Sequence, residues 1–416
     1  MGKQISRLYT HFYTINYAGG KKMKKKITLK KMLAAVLAFG LACSCLAGCG
    51  SSAAQSDAVS AEQGEVEEQE TSDGESFKIA VGLPDSGSTM FSLMSNNVKT
   101  MVGSMGGTVV FQGGVGASAD ATIQFVEDQI AAGANGIILS PPSDSVLTTV
   151  TTMCEEAGVY WGIAFRTIKD EDVKTLVESS EYYIGHCFED EEKTGYQVMS
   201  NLHNKGISKV AIISLAKGNN TTDLREQGAQ RACEEFGMEI VAEARDLTQA
   251  SDATNAAESF LSAYSDLDAI FVVGTTGAGI HEAVAKAIED AGKVDSVKLA
   301  TIDFPDAMAE LFEKDILATS SGAPSWGYDP YMITAALANT CKGNRISDTP
   351  LELEVPMYDI DNAETAAKWL EKYGNADTLY YEESVIKDTL DKSANDGLNE
   401  ETMRSMIQEF VENTAN

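Results

Sequence analysis

Two charged side chains stand where an apolar, strand-like segment ends. Arg166 follows the run at residues 159–165, and Asp303 follows the run at residues 298–302. A guanidinium at the end of a buried strand needs a hydrogen-bonding partner, because leaving it unpaired away from water costs free energy. A carboxylate in such a place can accept hydrogen bonds from two hydroxyl groups at once. These two side chains therefore predict contact with a polar ligand.

Other residue patterns that are typical of chemistry are incomplete. His186 and Cys187 precede an acidic run at residues 189–192, which would suit a metal, but an acid-rich helix start explains that run better. The glycines at residues 113–116 follow a strand but lack the full dinucleotide-binding spacing. No Ser or Cys stands in a nucleophile-elbow pattern with a suitable His partner. The sequence therefore predicts no enzyme activity, no metal and no cofactor.

An alternation of short apolar runs with amphipathic stretches begins at Phe77 and must position these side chains. The apolar runs have little internal polarity, as parallel strands that are covered on both faces require. They occupy residues 77–83, 107–112, 136–140, 159–164, 209–214, 239–244, 269–273 and 298–302. Strands that alternate with helices predict an α/β fold with doubly wound parallel sheets, whose ligands bind beyond the carboxyl ends of the strands.

Charge and cysteine content narrow the class of protein. The first 48 residues hold nine of the 32 basic residues and none of the 62 acidic ones, so the rest of the chain carries a net charge of −39. Such a surface repels phosphate backbones and excludes nucleic acid as a partner. The length after residue 48 exceeds one typical domain and predicts two. Four widely spaced cysteines are expected to be free and buried: Cys154, Cys187, Cys233 and Cys341.

Residues 24–49 have the order of a secretory signal, with lysines first, then an uncharged apolar run and a small-residue cleavage site. The last four, Leu46-Ala47-Gly48-Cys49, resemble the lipobox of bacterial lipoproteins. The resemblance implies cleavage before Cys49, whose sulfur then carries a diacylglyceryl group that holds the protein on the membrane. A cleaved signal with an unmodified Cys, or a short anchor that stays, is the alternative. We thus expect a leader and signal peptide at residues 1–48 and a disordered acidic tether at residues 49–76.

The order of these features resembles the periplasmic sugar-binding proteins of the ribose- and galactose-binding type, which are type I solute-binding proteins of ABC transporters. The best-matching stretch, residues 124–147, has the family's order of helix, Gly, strand and a turn of Pro, Ser and Asp. Further matches are Arg225-Glu226-Gln227-Gly228 and Ala300-Thr301-Ile302-Asp303. The resemblance covers residues 77–358 and implies two Rossmann-like lobes joined by a three-crossing hinge.

The resemblance places the hinge crossings near residues 182–186, 320–323 and 355. Lobe one is then expected at residues 77–184 and 322–350. Lobe two is expected at residues 185–321 and 351–416, with a C-terminal helical tail packed on the outside of one lobe. In that family the ligand lies between the lobes.

The resemblance also assigns ligand contacts to six residues of this chain. Phe91 matches an aromatic residue that stacks on the sugar ring, although it would equally serve as a core residue. Arg166 matches an Arg that makes bidentate bonds to the ligand, with an interlobe salt bridge as the alternative. Arg225 matches a second binding Arg, with a solvated charge as the alternative. The six residues are Ser88, Phe91, Arg166, Arg225, Thr275 and Asp303.

Three departures from the family pattern concern polar sugar-binding positions. Phe165 stands where the family has Asp, Gly274-Thr275 replaces Asn-Asp, and Gly322 falls where an amide is usual. Trp161, Trp326 and Tyr328 would supply aromatic surface instead. These departures argue against a simple hexose or pentose and make a less polar or differently shaped solute an alternative.

The resulting expectation is a monomeric, lipid-anchored receptor on the extracytoplasmic face of the cell membrane, which delivers a sugar-like solute to an ABC transporter permease. Its membrane contact is through the lipid alone. One alternative is a sensor that presents its closed form to a chemoreceptor or histidine kinase, and another is a binder of a non-sugar solute such as a nucleoside. A LacI-type transcription factor is disfavoured, since a secretion signal and an acidic tether stand where a DNA-reading helix pair would be.

Overall fold

The computed structural model describes residues 76–84, 89–247, 249–274, 279–325 and 327–415, all of which belong to one compact unit. Within these ranges the chain forms two six-stranded sheets with helices on both faces. This arrangement confirms the predicted α/β fold with doubly wound sheets. The signal segment, the tether and Cys49 lie outside the described residues.

The first sheet is wholly parallel and has the strand order β11-β5-β4-β3-β1-β2. Its strands are β1 (Lys78–Gly82), β2 (Thr108–Gln112), β3 (Gly136–Leu139), β4 (Tyr160–Ala164), β5 (Tyr183–Phe188) and β11 (Leu351–Glu354). The helices that accompany it early in the chain are α1 (Thr89–Ser104), α2 (Ala119–Ala131), α3 (Leu147–Ala157) and α4 (Glu171–Glu178). We call this sheet and the helices packed on it the first lobe.

The second sheet has the order β12-β10-β9-β8-β6-β7, and only β12 runs antiparallel to its neighbour. Its strands are β6 (Lys209–Ser214), β7 (Glu239–Arg245), β8 (Ala269–Val272), β9 (Lys298–Ile302), β10 (Leu317–Gly322) and β12 (Tyr358–Ile360). Its helices are α5 (Glu191–Asn204), α6 (Asn220–Phe236), α7 (Ala250–Ala263), α8 (Ile280–Asp290) and α9 (Met308–Glu313). We call this sheet and its helices the second lobe.

The chain passes between the two sheets at three places, after β5, after β10 and between β11 and β12. The first passage follows Phe188 instead of residues 182–186, because β5 pairs along its length with β4 and β11. The segment after β10 returns to the first lobe as α10 (Tyr328–Cys341), whose apolar residues fill that lobe's core. β11 also lies in the first sheet, whereas the sequence placed residues 351–354 in lobe two.

The C-terminal tail packs on both lobes and not on one. Its first helix, α11 (Ala363–Tyr373), lies on the second lobe, where the Trp369 ring meets Phe304 at 4.7 Å. Asn97 of α1 then binds the tail backbone, donating to Thr378 O at 2.7 Å and accepting from Tyr380 N at 2.7 Å. The last helices, α12 (Glu383–Leu390) and α13 (Glu400–Ala415), bury apolar side chains in the first-lobe core. The tail thus spans the two lobes.

Replacing Trp369 with alanine should lower the free energy of unfolding by about 3–5 kcal/mol, because the indole is buried and leaves a large cavity. The change also removes the bond from its Nε1 to Pro324 O at 2.9 Å. Urea denaturation of residues 76–416 measures the effect. Lys368→Ala on the same helix, whose side chain is exposed, is the control and should change stability by less than about 0.5 kcal/mol. A Trp369 loss no larger than that of the control would contradict the packing described for the tail.

Candidate functional site

The carboxyl ends of the strands carry a group of charged side chains that influence one another electrostatically. Arg166 follows β4, Glu189 follows β5 and Asp303 follows β9, so both lobes contribute. The charges of Glu189 and Glu191 act on Arg166, and that of Asp303 acts on Glu189, Glu191 and Arg225. We call these groups, together with Asp329 at the start of α10, the cleft cluster. Its members are Arg166, Glu189, Glu191, Arg225, Asp303 and Asp329.

Two of these residues form a buried ion pair within the second lobe. Arg225 is 5% exposed, and its Nε donates to Glu191 Oε2 at 2.6 Å while its Nη1 donates to Val273 O at 3.0 Å. Burial alone would lower the pKa of Arg225, but the carboxylates of Glu191, Asp303 and Glu189 outweigh it and raise that pKa. The guanidinium is therefore permanently charged and already occupied by protein acceptors on two of its nitrogens.

Close packing of α5 against α6 brings this pair together. α5 begins after Asp190, whose side chain accepts from Lys193 N, and α6 begins after Asn219, whose side chain accepts from Thr222 N. A Cβ on Gly195 would lie 1.8 Å from Arg225 O, and a Cβ on Gly228 would lie 1.8 Å from Glu192 O. Only glycine permits this approach of two backbones, which explains the glycine that follows Arg225 in the matched motif.

Arg166 is held at the first-lobe side of the cluster. The preceding residue, Phe165, has a φ of +65°, a left-handed conformation that is uncommon for a bulky side chain and is typical of functional sites. The Arg166 Nε atom is buried and has no hydrogen-bond acceptor among the described residues. Burial lowers the pKa of this guanidinium, and the charge of Arg225 lowers it further, against the opposing effects of Glu191 and Glu189.

Asp303 holds the position in the second lobe that corresponds to Arg166 in the first, just after the end of a strand. It has a φ of +68°, and its carbonyl oxygen accepts from Thr301 Oγ1 at 3.2 Å and from Ser320 Oγ at 3.0 Å. These bonds fix the strained backbone at the end of β9. The partly buried carboxylate receives no hydrogen bond from the described residues. Arg166 and Asp303 thus lie in different lobes, each with an unused polar group.

Asp329 was not among the residues predicted from the sequence. It is 0% exposed, and neither of its carboxylate oxygens meets a hydrogen-bond donor in the described part of the chain. Burial, with the charge of Glu191, raises the pKa of Asp329 to about 8, while its own backbone N–H and the nearby Cys187 thiol oppose that rise. The thiol does not reach hydrogen-bond geometry with either oxygen. The sequence did hold one indication of its importance, because Asp329 is the only charged residue of α10.

Glu189 extends the buried acidic region to the first crossing between the sheets. Burial raises the pKa of Glu189 well above its usual value, and the charges of Asp329, Glu191 and Asp303 add to the rise. The nearest opposing charge is Arg225, whose Nη2 lies 3.9 Å from Glu189 Oε2. Asp329 therefore favours the protonated form at neutral pH, and the pKa of Glu189 is raised in the same direction.

Of the described aromatic residues named from the sequence, Trp161 and Tyr328 lie in the core and Phe91 is partly buried beside it. Phe91, on α1, makes an edge-to-face contact with Phe111 at 5.0 Å and packs against the first-lobe core. Trp161 is fully buried beside Tyr183, and Tyr328 is fully buried against Phe410, so neither offers a ring to the cleft. The other predicted contacts, Ser88 and Thr275, and the aromatic Trp326 lie outside the described residues.

The two lobes touch each other beside the cluster. Asn220 of α6 donates to Asp144 Oδ1 of the first lobe at 2.9 Å. Leu93 of α1 packs within the hydrophobic core of the second lobe. The hydrogen bond joins the lobes on the side of the carboxyl ends of β3 and β6, which precede Asp144 and Asn220 in the chain.

The described residues contain neither a metal-binding cluster nor a membrane-spanning helix. No group of three or more His, Cys, Asp or Glu in this part of the chain is placed to hold a metal ion. His186, the centre of the metal alternative, has its Nδ1 3.2 Å from Tyr183 Oη, and burial lowers its pKa to about 4. None of the described helices is both long and apolar enough to cross a bilayer.

Comparison with known proteins supports the resemblance found in the sequence. A model of the periplasmic binding protein domain matches residues 79–343. Similar solved structures include an ABC transporter periplasmic solute binding protein from Actinobacillus succinogenes with bound D-allose (17% identity, 70% of this chain and 99% of that chain, TM-score 0.60). Another is a solute binding protein from Bacillus halodurans with bound myo-inositol (17% identity, 71% and 98%, TM-score 0.60).

A third similar structure is a solute binding protein from Agrobacterium vitis with bound α-D-tagatopyranose (16% identity, 74% and 100%, TM-score 0.61). At these identities the three structures show a shared fold. No protein of curated function is significantly similar to this chain. The residues after 343, which include the tail, lie beyond the matched family model.

Proposed function

The chain belongs to the periplasmic binding protein domain family, and from this premise we propose that it captures a sugar or sugar-like solute between its lobes for an ABC importer. The observation that carries the proposal is the placement of Arg166 and Asp303. They stand at strand ends of different lobes. Arg166 Nε is buried without an acceptor, and the partly exposed Asp303 carboxylate accepts no hydrogen bond from the described residues. Similar structures with bound D-allose, myo-inositol and tagatopyranose support a polyhydroxylated ligand.

A polyol suits the chemistry of these groups. A hydroxyl group both donates and accepts, so one ligand can donate to the Asp303 carboxylate and accept from the Arg166 guanidinium. Burying these groups without partners is costly, and the solute would supply the missing hydrogen bonds. Arg225 remains a predicted ligand contact, although its bonds to Glu191 and Val273 also give it a structural role.

The mechanism is closure of the two lobes about the three crossings. A solute that touches both lobes binds the closed form more tightly than the open form and therefore shifts the population towards closure. The contacts of Asn220 with Asp144 and of Leu93 with the second-lobe core would add to the closed form. An importer then recognises the closed shape, and no covalent bond is made or broken in the solute.

The remaining parts of the proposal concern the position of the protein in the cell. We expect Cys49 to carry the lipid that holds the protein on the extracytoplasmic face, with the permease of the importer as its protein partner. The acidic body would be repelled by anionic lipid, so the lipid alone would make the membrane contact. The lipobox-like sequence and the charge distribution support this part of the proposal. We also expect the protein to be a monomer.

Replacing Arg166 or Asp303 with alanine should abolish the rise in melting temperature that a bound sugar or cyclitol causes. Each change removes charged hydrogen bonds worth about 1.5–3 kcal/mol, and affinity should fall at least tenfold. Residues 76–416 are titrated with allose, tagatose, ribose, galactose and myo-inositol, first by thermal shift and then by calorimetry.

Arg231→Ala is the matched control for these variants. Arg231 is an exposed Arg of α6 that pairs with the surface residue Glu192, and its loss should leave solute affinity unchanged. If no member of a broad polyol panel shifts the melting temperature of the unaltered protein, the sugar assignment fails. If Arg166→Ala and Asp303→Ala bind as tightly as Arg231→Ala, the cleft cluster is not the binding site.

A further inference from the structure

Acidic groups outnumber basic groups in the cleft cluster. Its four carboxyl groups face two guanidinium groups, and one of these, Arg225, is bound directly to Glu191. Of the other three carboxyl groups, only Glu189 lies within 4 Å of a guanidinium nitrogen among the described residues, Nη2 of Arg225 at 3.9 Å. The unpaired carboxyl groups must therefore stay protonated in the empty site, or receive a cation from the ligand when it binds.

Asp329 gives the second, independent observation. Its carboxylate is 0% exposed and both oxygens lack a donor, although the carboxylate lies close enough to Glu189 to raise the pKa of that group. No Lys or Arg of the described residues forms an ion pair with it. A buried carboxylate without a partner is strongly unfavourable unless it is protonated or receives a cation. The described residues supply no cation here.

We propose that the solute carries a protonated amino group, as an amino sugar or amino-cyclitol does, and that Asp329 with Glu189 receives this ammonium group. Arg166 and Asp303 then bind the hydroxyl groups of the same solute. This inference rests on the proposed function and narrows its substrate class. An ammonium group offers three donors and a positive charge, which match the unpaired oxygens and the acid excess.

Binding of such a solute is coupled to proton release. The titratable groups that face Asp329 are Cys187 on β5, Glu189 after it, Glu191 on α5 and Tyr380 of the tail. None of them is a cation, so the Asp329 carboxyl holds a proton near neutral pH, with a pKa of about 8. An ammonium group beside it favours the ionised form, and a proton leaves as the solute enters.

The test compares ligands that differ at one substituent, which is a protonated amine in one and neutral in the other. Residues 76–416 are titrated at pH 7 with galactosamine against galactose, glucosamine against glucose and N-acetylglucosamine, and aminodeoxy-scyllo-inositol against scyllo-inositol. In at least one set the amine should bind at least about tenfold more tightly, as expected for a buried charge pair. Asp329→Asn should reduce that preference to within about threefold, whereas Asp388→Asn, which changes an exposed acid, should keep it.

Calorimetry of the unaltered protein in two buffers of different ionisation enthalpy gives a readout that does not depend on the folding of a variant. If protons are released on binding, the measured binding enthalpy differs between the two buffers in proportion to their ionisation enthalpies, and this result supports the inference. If neutral sugars bind as tightly as their amines and no proton is released, the inference of an amino group on the solute is wrong and the proposed function stays intact. If neither amines nor neutral polyols bind, the proposed function fails and the inference fails with it.

Discussion

Replacing Arg225 with methionine should lower the free energy of unfolding by about 3–5 kcal/mol at pH 7, the range found when one partner of a buried ion pair is removed. Methionine preserves much of the side-chain volume, so the effect is electrostatic. The variant leaves Glu191 without the donor that lies 2.6 Å away and Val273 O without its partner. It also removes the cation nearest to Glu189. Urea denaturation of residues 76–416 measures the loss.

The same helix provides the control. Arg231 of α6 pairs with Glu192 at 2.6 Å, but both side chains are well exposed, so Arg231→Met should cost no more than about 1 kcal/mol. The double variant Arg225→Met, Glu191→Met tests the cause, because removing both charges should recover a large part of the loss. A single Arg225 variant as stable as the Arg231 variant would show that the buried pair does not hold α5 against α6.

The order of helices and strands was largely predictable, because it depends on patterns that are local in the chain. Short apolar runs mark most of the parallel strands, although the edge strands β2 and β7 are only partly buried. The places of Arg166 and Asp303 followed from the same patterns, since a residue that ends a parallel strand faces the ligand side of the sheet. What the patterns did not show was the left-handed backbone at Phe165 and Asp303.

The sheet assignment of the later segments was not predictable in this way. Residues 351–354 alternate in burial and read equally well as an edge strand of either sheet, and their pairing with β5 is a long-range choice. The tail is amphipathic, which indicates that it packs but not on which lobe. Asn97 settles its course by binding Thr378 and Tyr380, far away in sequence.

The acidic half of the site was missed for a related reason. Glu189 and Glu191 read as the acidic start of a helix, which is their ordinary role. Their burial against Arg225 depends on Gly195 and Gly228, whose effect on the packing of two helices cannot be seen in either helix alone. Asp329 joins the cluster only because α10 returns to the first lobe after β10.

Stability should fall as the pH rises from 7 to 8.5, by roughly 1–2 kcal/mol for each carboxyl group whose pKa is raised into or above this range. Asp329 has a pKa of about 8 in the folded chain, against an ordinary value of 3.8, and the pKa of Glu189 is also raised well above its usual value. The unfolded chain has released these protons by pH 7, whereas the folded chain still holds them. A state that holds more protons loses stability relative to the other as the pH rises.

This pH window separates the two buried acids from other titrating groups. The surface carboxylates are ionised in both states above pH 7. Burial lowers the pKa of His186 and of His281, so both are neutral in the folded chain and nearly so in the unfolded one. Burial raises the pKa of the Cys154 and Cys341 thiols to about 12, and these groups destabilise the fold only as the pH approaches the ordinary thiol value of 9.

Asp329→Asn should therefore remove the part of the pH dependence between pH 7 and 8.5 that Asp329 causes, roughly 1 kcal/mol, and Asp388→Asn should leave the dependence unchanged. The slope is the quantity to compare, because the buried amide brings unsatisfied groups of its own that lower stability at every pH. Urea midpoints at four pH values suffice. A slope that survives Asp329→Asn in full would mean that Asp329 is ionised in the folded chain without a solute, and that a cation in the cleft would then bind without displacing a proton.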